Sequence, residues 1–188
     1  MNGLVPEIEK RRAMRALSAR IVPGEVVDRI LTAATLAPSC ANNQPWRFVF
    51  ISAPQKLKEM RAALSEGNRW AFGASMIIAV FSKKEDDCVI RDREYHQFDC
   101  GLAAGFLILR ATELGLVAHP IAGFSPKKTR EILGIPLEFK VITLIIVGLK
   151  SDTDLSLLTE KQVRREKRRP QRKNLKGFVF LNGYTAGI

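Results

Sequence analysis

Histidine is almost absent from this chain: His96 and His119 stand alone among 188 residues, far apart and outside any HExxH pattern, too few and too isolated for a metal site. Neither a phosphate-cradling Gly-rich loop nor a Ser-His-Asp arrangement can be traced, so hydrolase and NTPase readings drop out. Cysteine is scarce as well. Cys40, Cys88 and Cys100 are odd in number, widely spaced and free of a CxxC, which argues against a disulfide framework and a zinc site and fits a reducing cytoplasm. No stretch reaches the roughly 20 apolar residues needed to span a bilayer; the most apolar helical candidate, Asp99 to Leu114, carries Asp99, Arg110 and Glu113. The first ten residues hold Pro6, Glu7 and Glu9 where a secretory signal needs an apolar run, so no export is implied. Repeats, low-complexity linkers and a second-domain boundary are also missing, and a 46% hydrophobic chain of this length suits one domain over residues 1–188.

Positive charge is abundant. The formal net charge is +11, and its location says more than its sum. Nine basic residues lie between Lys161 and Lys176 against Glu166 alone, five lie between Lys10 and Arg20 with no acid, and the remainder is close to neutral. Two clusters at the two ends suggest a local anion pocket assembled from both, rather than a surface coated for polyanions.

Hydrophobic periodicity places a first helix over Glu7–Leu17 and a second over Gly24–Ala37, with Val26, Val27, Ile30, Leu31 and Ala34 at helical spacing before Pro38. Trp46–Ser52 alternates as a strand, Pro54–Leu64 reads as a helix, and Ala74–Phe81 is a continuous apolar run suited to a central strand. The charged stretch Ser82–Glu94 reads as a solvated loop. Asp99 then caps a helix apolar on nearly every face and closed by Gly115, and Ser125-Pro126 opens a short helix ending at Gly134. Val141–Leu149 is the strongest strand signal; the tail from Glu160 reads as helical until Pro170, and Phe178–Asn182 could add a last strand. Helices and apolar strands without strict alternation favour the α+β class.

Two stretches could carry chemistry. On a helix, Arg11 and Arg15 of Arg11-Arg12-Ala13-Met14-Arg15 fall on one face, so two guanidinium forks can converge on a monophosphate; a solvated helix face is the competing explanation. The loop Ala37-Pro38-Ser39-Cys40-Ala41-Asn42-Asn43-Gln44-Pro45-Trp46 crowds small and amide residues together, and amides offer the donors and acceptors that suit the edge of a heteroaromatic ring; an ordinary turn is the alternative. Cys40 is best explained as a small side chain filling space, Asp99 as a helix cap, and Trp70 and Phe124 as parts of a core or an interface.

In this order the two stretches resemble the nitroreductase family, which begins with an Arg-rich helix and follows a second helix with a Pro-Ser…Asn-x-Gln-Pro-Trp loop. Further matches are Asp99-Cys100-Gly101-Leu102-Ala103-Ala104 through Glu113-Leu114-Gly115-Leu116, Ala122-Gly123-Phe124-Ser125-Pro126, Leu133-Gly134-Ile135-Pro136 and the basic tail at Arg172-Lys173. The resemblance implies a three-layer sandwich, a mostly antiparallel sheet flanked by helices, with the C-terminal strand exchanged in a homodimer. It implies FMN, its phosphate held at Arg11, Arg12, Ala13, Arg15, Arg172 and Lys173. Pro38, Ser39, Asn42 and Gln44 from the neighbouring subunit would line the ring, and Ile121, Ala122 and Gly123 would face its reactive edge. Many relatives carry Ser at the position of Ala13, Gly-Gly at Cys40-Ala41 and proline at Asn174.

The implied activity is ping-pong transfer of hydride from NADH or NADPH through flavin N5 to a nitroaromatic, a quinone or a similar small aromatic acceptor, with no catalytic side chain required because the cofactor carries the chemistry. The chain is short for the family, which suggests an open pocket. Dehalogenation or flavin breakdown on the same fold is the alternative within enzymes. A basic nucleic-acid-binding protein without flavin is the alternative outside them, and the near-neutral middle and the amide-rich loop count against it.

Overall fold

The run Val141–Leu149 lies within β7 (Lys140–Lys150), and the main sheet is built on that strand. The computed structural model describes residues 3–18 and 20–184. One edge of β7 pairs with β3 (Met76–Ser82) over Lys140–Val147 and, in line with it, with the short β1 (Leu17–Ser18) at Leu149–Lys150. The opposite edge pairs with β6 (Leu116–Ile121), and β2 (Arg47–Ile51) lies outside β3. Every pairing is antiparallel.

Both faces of this sheet are covered, which is why β3 and β7 read as continuous apolar runs. Met76, Ile78 and Val80 of β3 and Ile145 and Val147 of β7 pack with Ile30 and Ala34 of α2 (Gly24–Thr35) and with Cys100, Ala103, Leu107 and Ala111 of α4 (His96–Glu113). Ile77, Ala79, Leu144 and Ile146 point the other way, onto Met60 of α3 (Pro54–Met60), Trp70, Ile121 and Ile135. Leu144, Ile145 and Ile146 are fully buried, each contributing about 1.5–3 kcal/mol by leaving water. The helix α5 (Pro126–Leu133) is delimited as its sequence directs: Ser125 Oγ accepts from Lys128 N, Pro126 occupies the first turn, and Gly134 ends it at φ +66°, a left-handed conformation that glycine adopts without penalty.

Several expectations need correction. The first helix, α1, spans only Pro6–Lys10; residues 11–16 are irregular and lead into β1, with Met14 and Ala16 buried in the core. Arg11 and Arg15 therefore share no helix face. The charged stretch at 82–94 is not a plain loop but a single helical turn (Lys84–Asp86) followed by the hairpin β4 (Val89–Ile90) and β5 (Arg93–Glu94). Asp99 does not cap α4, which begins at His96 with Asp99 already inside it. Cys40 and Cys88 form a disulfide, 48 residues apart in sequence, so cysteine usage supports no reducing compartment and Cys40 does more than fill space. The tail helix α6 (Glu160–Glu166) stops short of Pro170, and Phe178–Asn182 forms no strand within the chain; its side chains are exposed. No helix among the described residues is long and apolar enough to cross a membrane.

Candidate anion and cofactor site

The two basic ends of the chain meet. Arg11, Arg12, Ala13 and Arg15 form one wall of a cavity of about 350 Å³, and Arg165, Arg169, Pro170 and Arg172 form the other. Six guanidinium groups line it and no carboxylate does. Burial lowers Arg11 from its ordinary value, with Arg169 and Arg172 adding to the effect; burial also lowers Arg15, and Glu166 opposes the shift. Crowded like charges of this kind are relieved by an anion.

Local bonds fix these walls. Thr159 opens α6 with a capping box: its hydroxyl accepts from Gln162 N, and the Gln162 carboxamide accepts from Thr159 N. At the other end of α6, Glu166 accepts from Arg15 N at 3.1 and 3.2 Å and from Ala16 N at 3.3 Å, so the one acid of the basic tail anchors the opposite wall. Arg12 donates to the carbonyls of Arg165 and Glu166, and Arg169 donates to those of Glu9 and Arg11.

Behind Arg15 lies a rigid stack. Its guanidinium sits 5.8 Å from the centroid of Trp70, which is fully buried and stacks on His119 at 4.6 Å. His119 Nδ1 donates to the Met14 carbonyl at 2.9 Å, and burial first, then Arg15 and Arg11, pushes its pKa down to about 4, so the ring is neutral near pH 7. Trp70 Nε1 donates to Asn68, and Asn68 Nδ2 donates to the Gly123 carbonyl at 2.8 Å, which also accepts from Ser65 N. A side chain on Gly123 would meet Ser65 Oγ at 2.5 Å and Asn68 Nδ2 at 2.6 Å, so any larger residue there must displace both side chains. Arg15 and the Ile121-Ala122-Gly123 segment are thus linked through Trp70 and Asn68, with Ile121 buried and Ala122 exposed.

The amide loop has its own geometry. Ala41, Asn42 and Gln44 all have positive φ (49°, 59° and 50°), an unusual density of left-handed residues in a loop with no glycine. Ser39 Oγ accepts from Gln44 N at 2.9 Å and Gln44 Nε2 donates to the Asn42 carbonyl, leaving Pro38, Asn42 and Gln44 at the surface. The loop is tied down by Asp99, whose carboxylate accepts from Cys40 N at 2.7 Å, and by the Cys40–Cys88 bond. Burial pushes the Asp99 carboxyl up, the Cys40 N–H opposes this, and neighbouring Asp87 adds to it. Burial likewise pushes the Cys100 thiol up to about 11.

The structure gathers Arg11, Arg12, Ala13, Arg15 and Arg172 around one cavity, whereas Lys173, Pro38, Ser39, Asn42, Gln44, Ile121, Ala122 and Gly123 do not line it. Arg165 and Arg169 belong to the lining, and no signal within the basic run separated them from their neighbours. One further arrangement was invisible in the sequence: Ser82 Oγ and His96 Nδ1 share a 2.7 Å hydrogen bond while His96 Nε2 lies 3.5 Å from Glu94. Ser82 has no solvent exposure, so it cannot reach a substrate as a nucleophile would.

Comparison with known proteins identifies relatives of the chain. A family model described as the nitroreductase family matches residues 8–71 and 62–149. A protein of Archaeoglobus fulgidus, provisionally named an NADH dehydrogenase/NAD(P)H nitroreductase, is 31% identical over 81% of this chain and 88% of its own length. An iodotyrosine deiodinase of Haliscomenobacter hydrossis is 32% identical over 77% of this chain and 78% of its own. A crystal structure of an oxidoreductase containing FMN superposes with a TM-score of 0.86 at 31% identity, covering 98% of this chain and 94% of the other. The chain belongs to the nitroreductase family.

Proposed function

We propose that this chain is an FMN-dependent NAD(P)H oxidoreductase acting on electron-poor aromatic acceptors such as nitroaromatics and quinones, as a homodimer. The observation that carries the reading is the cavity of six guanidinium groups without an acid. That donor set fits a phosphate monoester, which arginine engages through paired charge-assisted hydrogen bonds. In this reading Arg11, Arg12, Arg15, Arg165, Arg169 and Arg172 hold the phosphate, and Lys173 contributes from the adjoining tail.

When bound, FMN would supply the redox chemistry between NADH or NADPH and the acceptor. The chain's part is binding and orientation. Ile121, Ala122 and Gly123 would offer backbone to the ring; Asn68 and Ser65 donate to the Gly123 carbonyl, and Trp70 donates to Asn68. Pro38, Ser39, Asn42 and Gln44, which stand outside the arginine cavity of their own chain, would serve the ring of the partner's site. Exposed apolar groups support a dimer: Phe98 and Phe106 on α4 are 63% and 41% exposed, and Leu175, Phe178, Val179, Phe180 and Leu181 of the tail face solvent.

Absorption of the purified protein from about 300 to 550 nm, before and after anaerobic NADPH or NADH, tests the reading directly, since the flavin carries the signal. Two flavin bands that bleach with nicotinamide are expected; a colourless protein that takes up no added FMN overturns it. The deiodinase relative favours a second reading, reductive dehalogenation of an aromatic substrate. Halide release from iodotyrosine by the reduced protein, exceeding turnover of nitroaromatics, would select it.

A further inference from the structure

On the side of the amide loop, Cys40, Asp87 and Cys88 bring two sulfurs and a carboxylate oxygen within 4.8 Å of one another. Asp87 Oδ1 is well served, accepting from Cys88 N at 2.8 Å and Asn43 Nδ2 at 3.3 Å. Asp87 Oδ2 is sealed from solvent and has no donor. A disulfide is neutral and offers no donor, so it leaves this oxygen uncompensated. A cation bound by the two sulfurs would compensate it. From this juxtaposition we propose that, once the Cys40–Cys88 bond is reduced, Cys40, Cys88 and Asp87 bind a thiophilic divalent cation of the zinc class.

The chemistry balances in two steps. A dithiol reductant becomes a disulfide while the Cys40–Cys88 sulfur–sulfur bond takes up two electrons and two protons, giving two thiols. Binding of the cation then releases both thiol protons and leaves two thiolates and one carboxylate as ligands. The backbone accommodates this. Two thiolates at about 2.3 Å from one tetrahedral zinc lie roughly 3.8 Å apart, a modest rotation of side chains whose Cα atoms are 6.0 Å apart. A fourth position is left for water.

The consequence concerns the loop. Cys40 is in the amide loop and Cys88 immediately precedes the β4–β5 hairpin, so either linkage clasps one to the other. A metal clasp would hold the loop where a disulfide cannot persist.

The test uses the full-length, tag-free protein, reduced with a phosphine, desalted without oxygen and titrated with Co²⁺ alone. One Co²⁺ per chain with near-ultraviolet thiolate-to-cobalt charge-transfer bands is expected, displaced by Zn²⁺, absent from the oxidised protein and lost in Cys88→Ser. Asp87→Asn, close to isosteric, should retain its far-ultraviolet dichroism and bind at least about tenfold more weakly. Failure of the reduced protein to take up Co²⁺ overturns the proposal. Unchanged binding in Asp87→Asn, or thiolate bands persisting in Cys88→Ser, overturns it equally.

Discussion

Glu166 holds Arg15 through the main chain rather than through its charge: the carboxylate accepts from the N–H groups of Arg15 and Ala16, leaving the Arg15 guanidinium free for the cavity. Glu166→Gln replaces one acceptor oxygen with a donor that faces backbone N–H groups. We expect a loss of about 1–3 kcal/mol in stability by urea denaturation, with weaker FMN binding, although the substitution removes a negative charge from a basic region.

Arg169 joins the walls by donating to the Glu9 and Arg11 carbonyls and also lines the cavity. Arg169→Ala should raise the Kd for FMN by about tenfold or more, and the loss should shrink as salt is added. Titration of apoprotein by quenching of flavin fluorescence at two ionic strengths measures both effects.

Burial holds His119 near pKa 4, against an ordinary value of 6.5. The unfolded chain therefore binds the extra proton first as pH falls. Stability from the neutral ring is complete above about pH 6.5 and declines progressively down to about pH 4, by up to about 3 kcal/mol. Urea midpoints measured across this window should fall with acidity, and His119→Gln should flatten that slope.

Gly123 and Ala41 predict opposite outcomes. Gly123→Ala places a methyl group against Ser65 and Asn68, displacing the donor to its own carbonyl, and should cost about 1–3 kcal/mol together with much of the catalytic rate. Ala41→Gly relieves a left-handed alanine at φ 49° and should stabilise the protein by about 0.5–1 kcal/mol after the added freedom of the unfolded chain is subtracted. Thermal melts of both variants, with nitroaromatic turnover for Gly123→Ala, decide.

Where apolar runs dictated structure, the fold was readable: β3 and β7 are buried on both faces, and α5 follows its Ser125, Pro126 and Gly134 signals. Where long-range pairing overrode local preference, it was not. Residues 11–16 have a helix former's composition, yet burial of Met14 and pairing of Leu17 with Lys150 hold them out of a helix. β6 escaped because His119 and Pro120 break its pattern; as an edge strand bonded only to β7, it tolerates a proline. The charge clusters pointed to a basic cavity shared by both ends, and the arginines meet in one, but which tail arginines enter it depends on how α6 docks. The Cys40–Cys88 bond spans 48 residues, and no local spacing encodes such a contact.

β7 joins β1, β3 and β6, yet it is the last strand of the sheet to be synthesised. A ribosome-bound chain that has reached only residue 139 exposes β3 with one edge open and β1 and β6 with no partner at all. The sheet therefore closes late, in a single step that spans most of the chain, and until then its apolar strands are substrates for chaperones and for aggregation.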